Sequence, residues 1–343
     1  MKRRWQRWSR RRRVVVVLLL VFLLAVPVPL GAYAVALRVH YTGDPSSQAI
    51  SRGRDAVWLG HAWVDGRKTS ADVTALAARL AKTGVRDLYV HAGPLEHDGT
   101  LPLAEVSPKA RWFTDAVSKA APGVRVQAWL GDIVQPAKNP GMDLDDQVVR
   151  DRVTASSAAV LDQGFDGIHF DFEPVHSESR GFLAVLDQVH ELTARRGVPL
   201  SVAAAQIDPL WNLNAVPLAI ADEGKWWSQE YFGAVARRVE QIAVMSYDTA
   251  MPLESLYGGY VAQQTSLALE VTPDHVDLLM GLPAYWESNP SHWGHAETVE
   301  AAVRGARLGL GTSGKQNFGL AIYVDFTATE QHWTAYTEGW VRK

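Results

Sequence analysis

Eight short apolar runs alternate with helical segments along this chain, and no other feature limits its possible folds as strongly. The runs are rich in Val, Leu, Ile and Tyr, and they start ~30 to ~43 residues apart, about the length of a strand-helix-strand unit. Eight such units in one chain predict an α/β fold, the parallel (β/α)8 or TIM barrel. The predicted strands are Val57–Gly60, Asp87–His91, Val124–Leu130, Gly167–Glu173, Leu200–Gln206, Gln241–Tyr247, Asp277–Tyr285 and Phe318–Tyr323.

Several segments between these strands carry the start and stop signals of helices. Ser70 fits an N-cap before a helix over Ala71–Lys82, and helices over Asp143–Gln163 and Ser177–Arg196 are each followed by a glycine. An open doubly wound sheet is the alternative fold, and it usually shows a glycine-rich turn after its first strand. The chain has no phosphate-binding glycine loop of either common type, which favours the barrel, and we expect no cofactor.

The predicted fourth strand has an unusual polar face. Period-2 alternation separates its apolar and polar side chains, with Ile168, Phe170 and Phe172 on one face and His169, Asp171 and Glu173 on the other. Pro174 cannot donate to a strand ladder, so Glu173 should lie at the carboxyl end, where TIM barrels carry their catalytic residues. Ordinary ion pairs with Arg or Lys are the alternative explanation of these acids, but two inward carboxylates favour a functional site.

The same strand carries a family resemblance. The stretch Asp166-Gly-Ile-His-Phe-Asp171-Phe-Glu173 resembles the fourth-strand signature of glycoside hydrolase family 18, the chitinases and their endo-β-N-acetylglucosaminidase relatives. That signature reads Asp-x-x-Asp-x-Asp-x-Glu. Three of its four acids are present, and His169 replaces the second.

Two later strands add to the resemblance. Met245, Tyr247 and Asp248 match the Met-x-Tyr-Asp motif that the family carries on strand six, and Gly281-Leu-Pro-Ala-Tyr285 is similar to its Gly-Leu-Pro-x-Tyr on strand seven. The chain also departs from the pattern. Trp286-Glu287 follows where many chitinases have Gly-Arg, and Tyr323 stands where the last strand usually ends in a Trp that floors the sugar.

Spacing restricts how the two acids of strand four can work. Side chains two apart on one strand lie ~6.6 Å apart and point the same way. Most glycosidases place two carboxylates on opposite sides of the scissile bond. The second participant must therefore come from another strand or from the sugar itself.

The family resemblance implies that the sugar itself supplies the second participant, with the substrate's 2-acetamido oxygen as nucleophile. Glu173 would then be the general acid and later the base, Asp171 would orient the acetamido group, and Tyr247 would hydrogen-bond its oxygen. His169 would modulate Asp171 through its own protonation, so the pH optimum should depend on it. Substrate contacts are expected from a wider set: Asp166, His169, Met245, Asp248, Tyr285, Trp286 and Tyr323.

The N-terminal segment differs from the rest of the chain. Residues 1–13 carry eight Lys or Arg and no acid, and an uncharged run of 24 residues, 14–37, follows. That run is longer than the roughly 20 residues that a membrane-spanning helix needs. We expect a basic cytoplasmic segment, a transmembrane anchor and an extracytoplasmic body, with a signal peptide cleaved near Ala32-Tyr33-Ala34 as the alternative. Residues 38–54 should form a linker and residues 55–343 the barrel domain.

The charge balance and the residue composition limit the kinds of partner and site that this chain can have. Beyond residue 13 the chain holds 26 basic and 37 acidic residues, and this acidic balance argues against a nucleic-acid partner. With no Cys there is no disulfide framework and no thiolate metal site. Several tryptophans fall at or just after strand ends, where they either stack on sugars or pack in the core: Trp63, Trp129, Trp286 and Trp293.

The sequence therefore predicts an extracytoplasmic glycoside hydrolase that cleaves β-linked N-acetylhexosamine glycans. Two alternatives stay open. One is a non-hydrolytic glycan-binding protein on the same barrel, which the retained acid at Glu173 disfavours. The other is a glycosidase of another substrate class, in which Glu173 works with Asp248, Glu287 or Asp325. A metal site built from early-strand histidines and Asp171 is less well supported, because three ligands would have to converge.

Overall fold

Eight parallel strands close into a barrel in the computed structural model, which describes residues 10–25, 27–210 and 225–342. In chain order the strands are β1 (Asp55–Leu59), β2 (Val85–His91), β3 (Arg125–Ile133), β4 (Gly167–Glu173), β5 (Leu200–Ala204), β6 (Gln206–Ile207), β7 (Trp226–Trp227), β8 (Gln241–Val244), β9 (Asp277–Pro283) and β10 (Phe318–Tyr323). The two short strands β6 and β7 pair with each other outside the barrel. Around the barrel the order is β1-β2-β3-β4-β5-β8-β9-β10, and β10 pairs with β1 to close it. The predicted TIM barrel is confirmed.

Helices lie between the barrel strands along the chain, two more precede β1 and one follows β10. They are α1 (Arg10–Ala25), α2 (Pro27–His40), α3 (Ser70–Leu80), α4 (Leu103–Val106), α5 (Ala110–Ala120), α6 (Gln147–Leu161), α7 (Arg180–Arg196), α8 (Gln229–Ala236), α9 (Glu254–Val271), α10 (Val299–Leu310) and α11 (Glu330–Tyr336). A short 3₁₀ turn covers His61–Trp63, and one π-helical turn covers Thr337–Val341. The N-cap of α3 is Thr69 and not the predicted Ser70, because the Thr69 hydroxyl and the Asp72 carboxylate bond each other's backbone N–H groups.

The two faces of β4 separate as the alternation predicts. Ile168, Phe170 and Phe172 are buried in the apolar layer between the barrel and its helices. His169 points into the barrel, where its ring stacks on that of Tyr89 with 3.7 Å between the ring centroids. Asp171 and Glu173 follow it at two-residue steps toward the carboxyl end of the barrel.

Four barrel strands end earlier than predicted. β1 ends one residue early, at Leu59, and β9 ends two residues early, at Pro283. β5 ends at Ala204 and not at Gln206, and β8 ends at Val244 and not at Tyr247. Beyond Val244 the chain leaves the ladder, and Asp248 has a left-handed backbone with φ of 56°. The residues of the Met-x-Tyr-Asp motif therefore lie on the rim of the barrel rather than in a strand.

The N-terminal part of the chain packs against the barrel. Leu37 on α2 is 1% exposed, and the hydroxyl of Tyr33 donates a 2.8 Å hydrogen bond to Gln263 on α9. Residues 38–54, expected to be a linker, are also held: Arg307 donates to the carbonyl oxygen of Ala49 at 2.7 Å, and Ala49 is buried.

The predicted membrane span covers parts of α1 and α2, which have 16 and 14 residues. Across the described ranges, no helix is both long enough and apolar enough to cross a bilayer. The first nine residues of the predicted basic segment lie outside the described residues.

Candidate active site

A cavity of about 300 Å³ opens at the carboxyl ends of the barrel strands. This volume lies at the lower end of the range for small-molecule sites. Its polar lining is formed by Asp171, Glu173, Gln206, Lys225, Tyr247, Asp248 and Tyr323. Its larger apolar lining residues are Trp58, Phe172, Trp227 and Met245. Six of the ten predicted site residues thus border one cavity: Asp171, Glu173, Met245, Tyr247, Asp248 and Tyr323.

Asp171 lies at the floor of this cavity and is held from one side. The indole Nε1 of Trp129 on β3 donates a 2.9 Å hydrogen bond to its Oδ2. Its Oδ1 is buried and accepts no hydrogen bond from any described residue. Burial raises the pKa of Asp171 to about 6, and the Trp129 hydrogen bond opposes this rise. Asp171 is therefore ionised at neutral pH with one oxygen free for a donor on a substrate.

Glu173 ends β4 at the mouth of the cavity, and its side chain reaches solvent. The protein atoms around its carboxyl group, followed by the negative charges of Asp171 and Asp248, raise its pKa to about 8. At pH 7 Glu173 carries a proton while Asp171 does not. Two acids on one strand are thus separated into a proton donor and a charge stabiliser.

Tyrosines form one wall of the cavity. The rings of Tyr247 and Tyr323 stack with 5.0 Å between centroids, and Tyr285 meets Tyr247 edge-on at 6.3 Å. Burial raises the pKa of Tyr247, and also that of Tyr323 to about 12, so both remain hydroxyl donors. Gly281 on β9 permits this arrangement, because a Cβ there would lie 2.7 Å from the Tyr247 ring.

Asp248 enters the cavity from the rim beyond β8. The hydroxyl of Tyr285 donates a 2.7 Å hydrogen bond to its Oδ1, and Lys225 donates to its backbone oxygen at 3.1 Å. Tyr285 itself does not line the cavity. The predicted substrate contact from Tyr285 is therefore replaced by a contact that orients Asp248.

Comparisons with known proteins identify the fold. No protein-family model matches this chain, and neither does any curated protein. Among solved structures, the spore cortex-lytic enzyme SleL of Bacillus megaterium QM B1551 is similar with a TM-score of 0.58 and 15% identity, covering 86% of this chain and 76% of that one. SleL of Bacillus cereus is similar with a TM-score of 0.57 and 13% identity, covering 85% of this chain and 75% of that one. A class V chitinase from Pseudomonas fluorescens Pf-5 is similar with a TM-score of 0.55 and 15% identity, covering 83% of this chain and 98% of that one.

This chain shares its barrel fold with SleL and with the class V chitinase. The predicted resemblance therefore holds at the level of the barrel, and the roles of the strand-end residues depend on their own geometry. Four of the predicted site residues do not border the cavity: Asp166, His169, Tyr285 and Trp286.

The prediction that His169 contacts substrate and modulates Asp171 is wrong. Its side chain is fully buried below the cavity, where Trp58 donates to its Nε2 at 3.0 Å and its Nδ1 lies 2.7 Å from the Ser201 hydroxyl. Since Nε2 accepts, Nδ1 carries the proton and donates to Ser201. Burial lowers the pKa of His169 to about 3, so the ring stays neutral at any pH well above that value.

Asp166 and Trp286, which are also predicted to contact substrate, lie away from this cavity. Asp166 precedes β4 at the opposite end of the barrel, where its carboxylate accepts a 2.9 Å hydrogen bond from the backbone N–H of Val126. Trp286 is 43% exposed and lies against His332 with 4.5 Å between ring centroids. Asp166 was predicted from the strand-four signature, whereas Trp286 departs from the family pattern and was predicted because it follows the strand-seven motif.

Several cavity residues had no signal strong enough to be predicted. Trp58 lies within the apolar run of β1, and its inward direction depends on a strand start that the sequence leaves uncertain. Gln206, Lys225 and Trp227 come from the connection between β5 and β8, which carries no motif. Trp129 had been noted as a residue that could stack on sugars, but its hydrogen bond to Asp171 was not predicted.

The two other acids named as alternative partners of Glu173 do not lie at this cavity. Asp325 accepts from the backbone of Gly60 and from Trp63, and neither Asp325 nor Glu287 lines the cavity. Within the described residues, the early-strand histidines and Asp171, the less well supported alternative, do not form a group of three potential metal ligands. The one group of three potential ligand side chains there is Asp248, His292 and Glu297.

Proposed function

We propose that this chain is a glycoside hydrolase that cleaves β-linked N-acetylhexosamine glycans with retention, using the substrate's own acetamido group as nucleophile. One observation carries the proposal. Asp171, Glu173 and Tyr247 line a single cavity at the carboxyl end of the barrel, with Glu173 protonated and Asp171 ionised at neutral pH.

In the first step Glu173 would donate its proton to the glycosidic oxygen. As that C–O bond breaks, the acetamido oxygen bonds to the anomeric carbon and gives an oxazolinium ion, while the leaving sugar departs as an alcohol. Asp171 would accept a hydrogen bond from the acetamido N–H and stabilise the positive charge that develops there. Its free Oδ1 is the atom available for this contact.

In the second step water would open the oxazolinium ion. The carboxylate of Glu173 takes a proton from the attacking water, and the new C–O bond forms on the face from which the first sugar left. The configuration is retained, and Glu173 returns to its protonated state. Tyr247 would donate to the acetamido oxygen and align it for attack.

The arrangement of the acids supports substrate assistance. Both carboxylates of β4 approach from one strand, as expected when the sugar supplies the nucleophile. Among the described residues, Asp248 is the one carboxylate outside β4 that lines the cavity. A direct nucleophilic role for Asp248 is therefore the second candidate, and it predicts no requirement for an acetamido group.

The test is a matched pair of β-linked oligosaccharides, one N-acetylated and one de-acetylated, together with peptidoglycan fragments. Turnover of acetylated substrates alone, lost in Glu173→Gln and kept in Glu287→Gln, supports the proposal. Unimpaired turnover of the de-acetylated substrate would instead point to Asp248. Binding without turnover would make the chain a glycan-binding protein.

We also propose that the barrel acts outside the cytoplasm. The support is the order of a basic segment followed by an uncharged run at the N-terminus. Fractionation of cells that express the full chain would test this, and recovery of the barrel in the cytoplasm would contradict it.

A further inference from the structure

The turn that delivers Asp248 to the cavity is conformationally strained. Asp248 and Ala250 both have left-handed backbones, with φ of 56° and 57°, although neither is glycine. Such residues persist where the surrounding structure holds them, and they concentrate at functional sites. The contacts that hold this turn therefore decide where the Asp248 carboxylate points.

Nearly all of those contacts come from the connection between β9 and α10. The backbone N–H of Thr249 lies 3.2 and 3.1 Å from the two carboxylate oxygens of Glu297, and Ala250 N–H donates to the carbonyl oxygen of Ser291 at 2.7 Å. Tyr285 holds the side chain of Asp248 from the same connection.

His292 lies between the two carboxylates. Its side chain has no solvent exposure, and its Nδ1 is 3.1 Å from Asp248 Oδ1 and 3.4 Å from Glu297 Oε2. Neither contact is aligned as a single straight hydrogen bond, as expected for one ring nitrogen shared between two acceptors. Burial lowers the pKa of His292, but the two carboxylates outweigh it and raise that pKa to about 9.

We propose that His292, braced by Glu297, is a positioning residue that holds the Asp248 carboxylate in the cavity as one member of a carboxylate–imidazolium–carboxylate triad. The proposal rests on the proposed function for its kinetic consequence, but the triad itself can be measured without activity. Asp248 is the residue through which His292 acts, because His292 does not line the cavity.

The charges around the triad favour a proton over a metal ion at its centre. The groups that face it are Asp248, Glu297, the ring of Tyr285 at 4.3 Å, Tyr257, and the ammonium of Lys225. Imidazolium and ammonium together balance the two carboxylates. A metal-bound His almost always donates its other ring N–H to a partner, whereas Nε2 of His292 has none among the described residues.

The positive charge of His292 in the triad should also lower the pKa of Glu173. The Asp248 charge is one cause of the raised pKa of Glu173, and a fixed imidazolium beside Asp248 offsets part of that charge. Removal of the imidazolium should therefore move the alkaline limb of kcat/KM to higher pH. A residue that supports only folding would leave the limb unchanged.

The experiment compares His292→Gln and Glu297→Gln with His295→Gln, an exposed histidine three residues away. We expect His292→Gln to lower kcat/KM by about tenfold, because a charged network around Asp248 is lost. The alkaline limb of kcat/KM should also move to higher pH. His295→Gln should match the wild type. The proposal would be overturned if activity fell only in proportion to the amount of folded protein and the alkaline limb of kcat/KM stayed at the same pH.

A proton NMR titration keeps the triad testable if no glycan is turned over. The His292 Cε1–H resonance, assigned by its absence in His292→Gln, should report an imidazolium up to about pH 9 and a lower pKa in Glu297→Gln. A His292 that titrates near its ordinary value would overturn the proposal. So would one equivalent of divalent metal in the purified protein that is lost in His292→Gln.

Discussion

The indole Nε1 of Trp129 donates a 2.9 Å hydrogen bond to Oδ2 of Asp171. In the family signature an acid two residues before this Asp interacts with it, and here His169 occupies that position without reaching Asp171 in the structure. The neighbouring strand thus supplies the partner that strand four lacks. Trp129 is the residue that keeps the Asp171 carboxylate oriented and ionised.

Replacement of Trp129 by Phe should impair Asp171 directly. Phe keeps the ring but removes the donor, so the pKa of Asp171 should rise above about 6 and the acid limb of kcat/KM should move to higher pH. We expect kcat to fall about tenfold, the usual scale for a hydrogen bond to a charged group. Trp293→Phe, at an exposed site, is the control. An unchanged acid limb would contradict the role of Trp129.

The pH dependence of the wild type should be bell-shaped. The active form carries one proton on Glu173 and none on Asp171, so kcat/KM should rise through about pH 6 and fall through about pH 8. Steady-state kinetics from pH 4 to pH 10 check this. A rate that stays constant above pH 9 would exclude Glu173 as the general acid.

His169→Asn should follow the pH profile of the wild type while losing stability. His169 is neutral, is buried between Trp58 and Ser201, and has no contact with the cavity. Asn can satisfy one of its two hydrogen bonds but leaves a gap against the Tyr89 ring, so we expect a loss of about 2–4 kcal/mol in the free energy of unfolding. Urea unfolding and the pH–rate profile measure the two effects. A shifted pH optimum would restore the role that the motif suggested for His169.

Sequence patterns predicted the barrel and its fourth strand well because both depend on local signals. Alternation places Glu173 at a strand end whatever the rest of the chain does, and Pro174 marks that end. The environment of His169 could not be predicted, since its partners Trp58 and Ser201 come from β1 and β5. The motif shows that an acid is missing, but not which distant side chain replaces it.

The arrangement of Asp248 on the rim of the barrel was also hard to predict, because its partners come from distant parts of the sequence. Asp248 lies in its motif at the expected place, yet its direction depends on a strained turn and on Tyr285, His292 and Glu297. His292 and Glu297 occupy a connection without a motif. Tyr285 ends the strand-seven motif, but that motif does not show that its hydroxyl holds Asp248. Trp286 follows the strand-seven motif directly, but the chain turns there, so proximity in sequence does not bring it to the cavity.

The contact between α2 and α9 should contribute to the stability of the barrel. A Cβ built at Gly259 would lie 1.9 Å from the carbonyl oxygen of Leu37, so Gly259→Ala cannot be accommodated without moving α2. We expect a loss of about 1–3 kcal/mol, the usual cost of overpacking. Gly314→Ala is the control, because a Cβ there meets no atom within 4 Å. Equal melting temperatures for the two variants would show that α2 does not support the barrel.

Glu173→Gln should be more stable than the wild type at high pH, and the sign follows from the pKa. The folded protein raises the pKa of Glu173 from 4.5 to about 8, so it binds this proton more tightly than the unfolded chain does. The resulting stabilisation is complete below pH 4.5 and is lost as the pH rises to 8. Gln has no proton to lose.

The melting temperature of the wild type should therefore fall more between pH 5 and pH 8.5 than that of Glu173→Gln, by roughly 2–4 °C for about 1 kcal/mol. Glu191→Gln, at a site 75% exposed on α7, should behave as the wild type. Parallel melting curves for Glu173→Gln and the wild type across this range would mean that Glu173 is ionised at neutral pH. In that case Glu173 could not act as the proton donor on which the proposed mechanism depends.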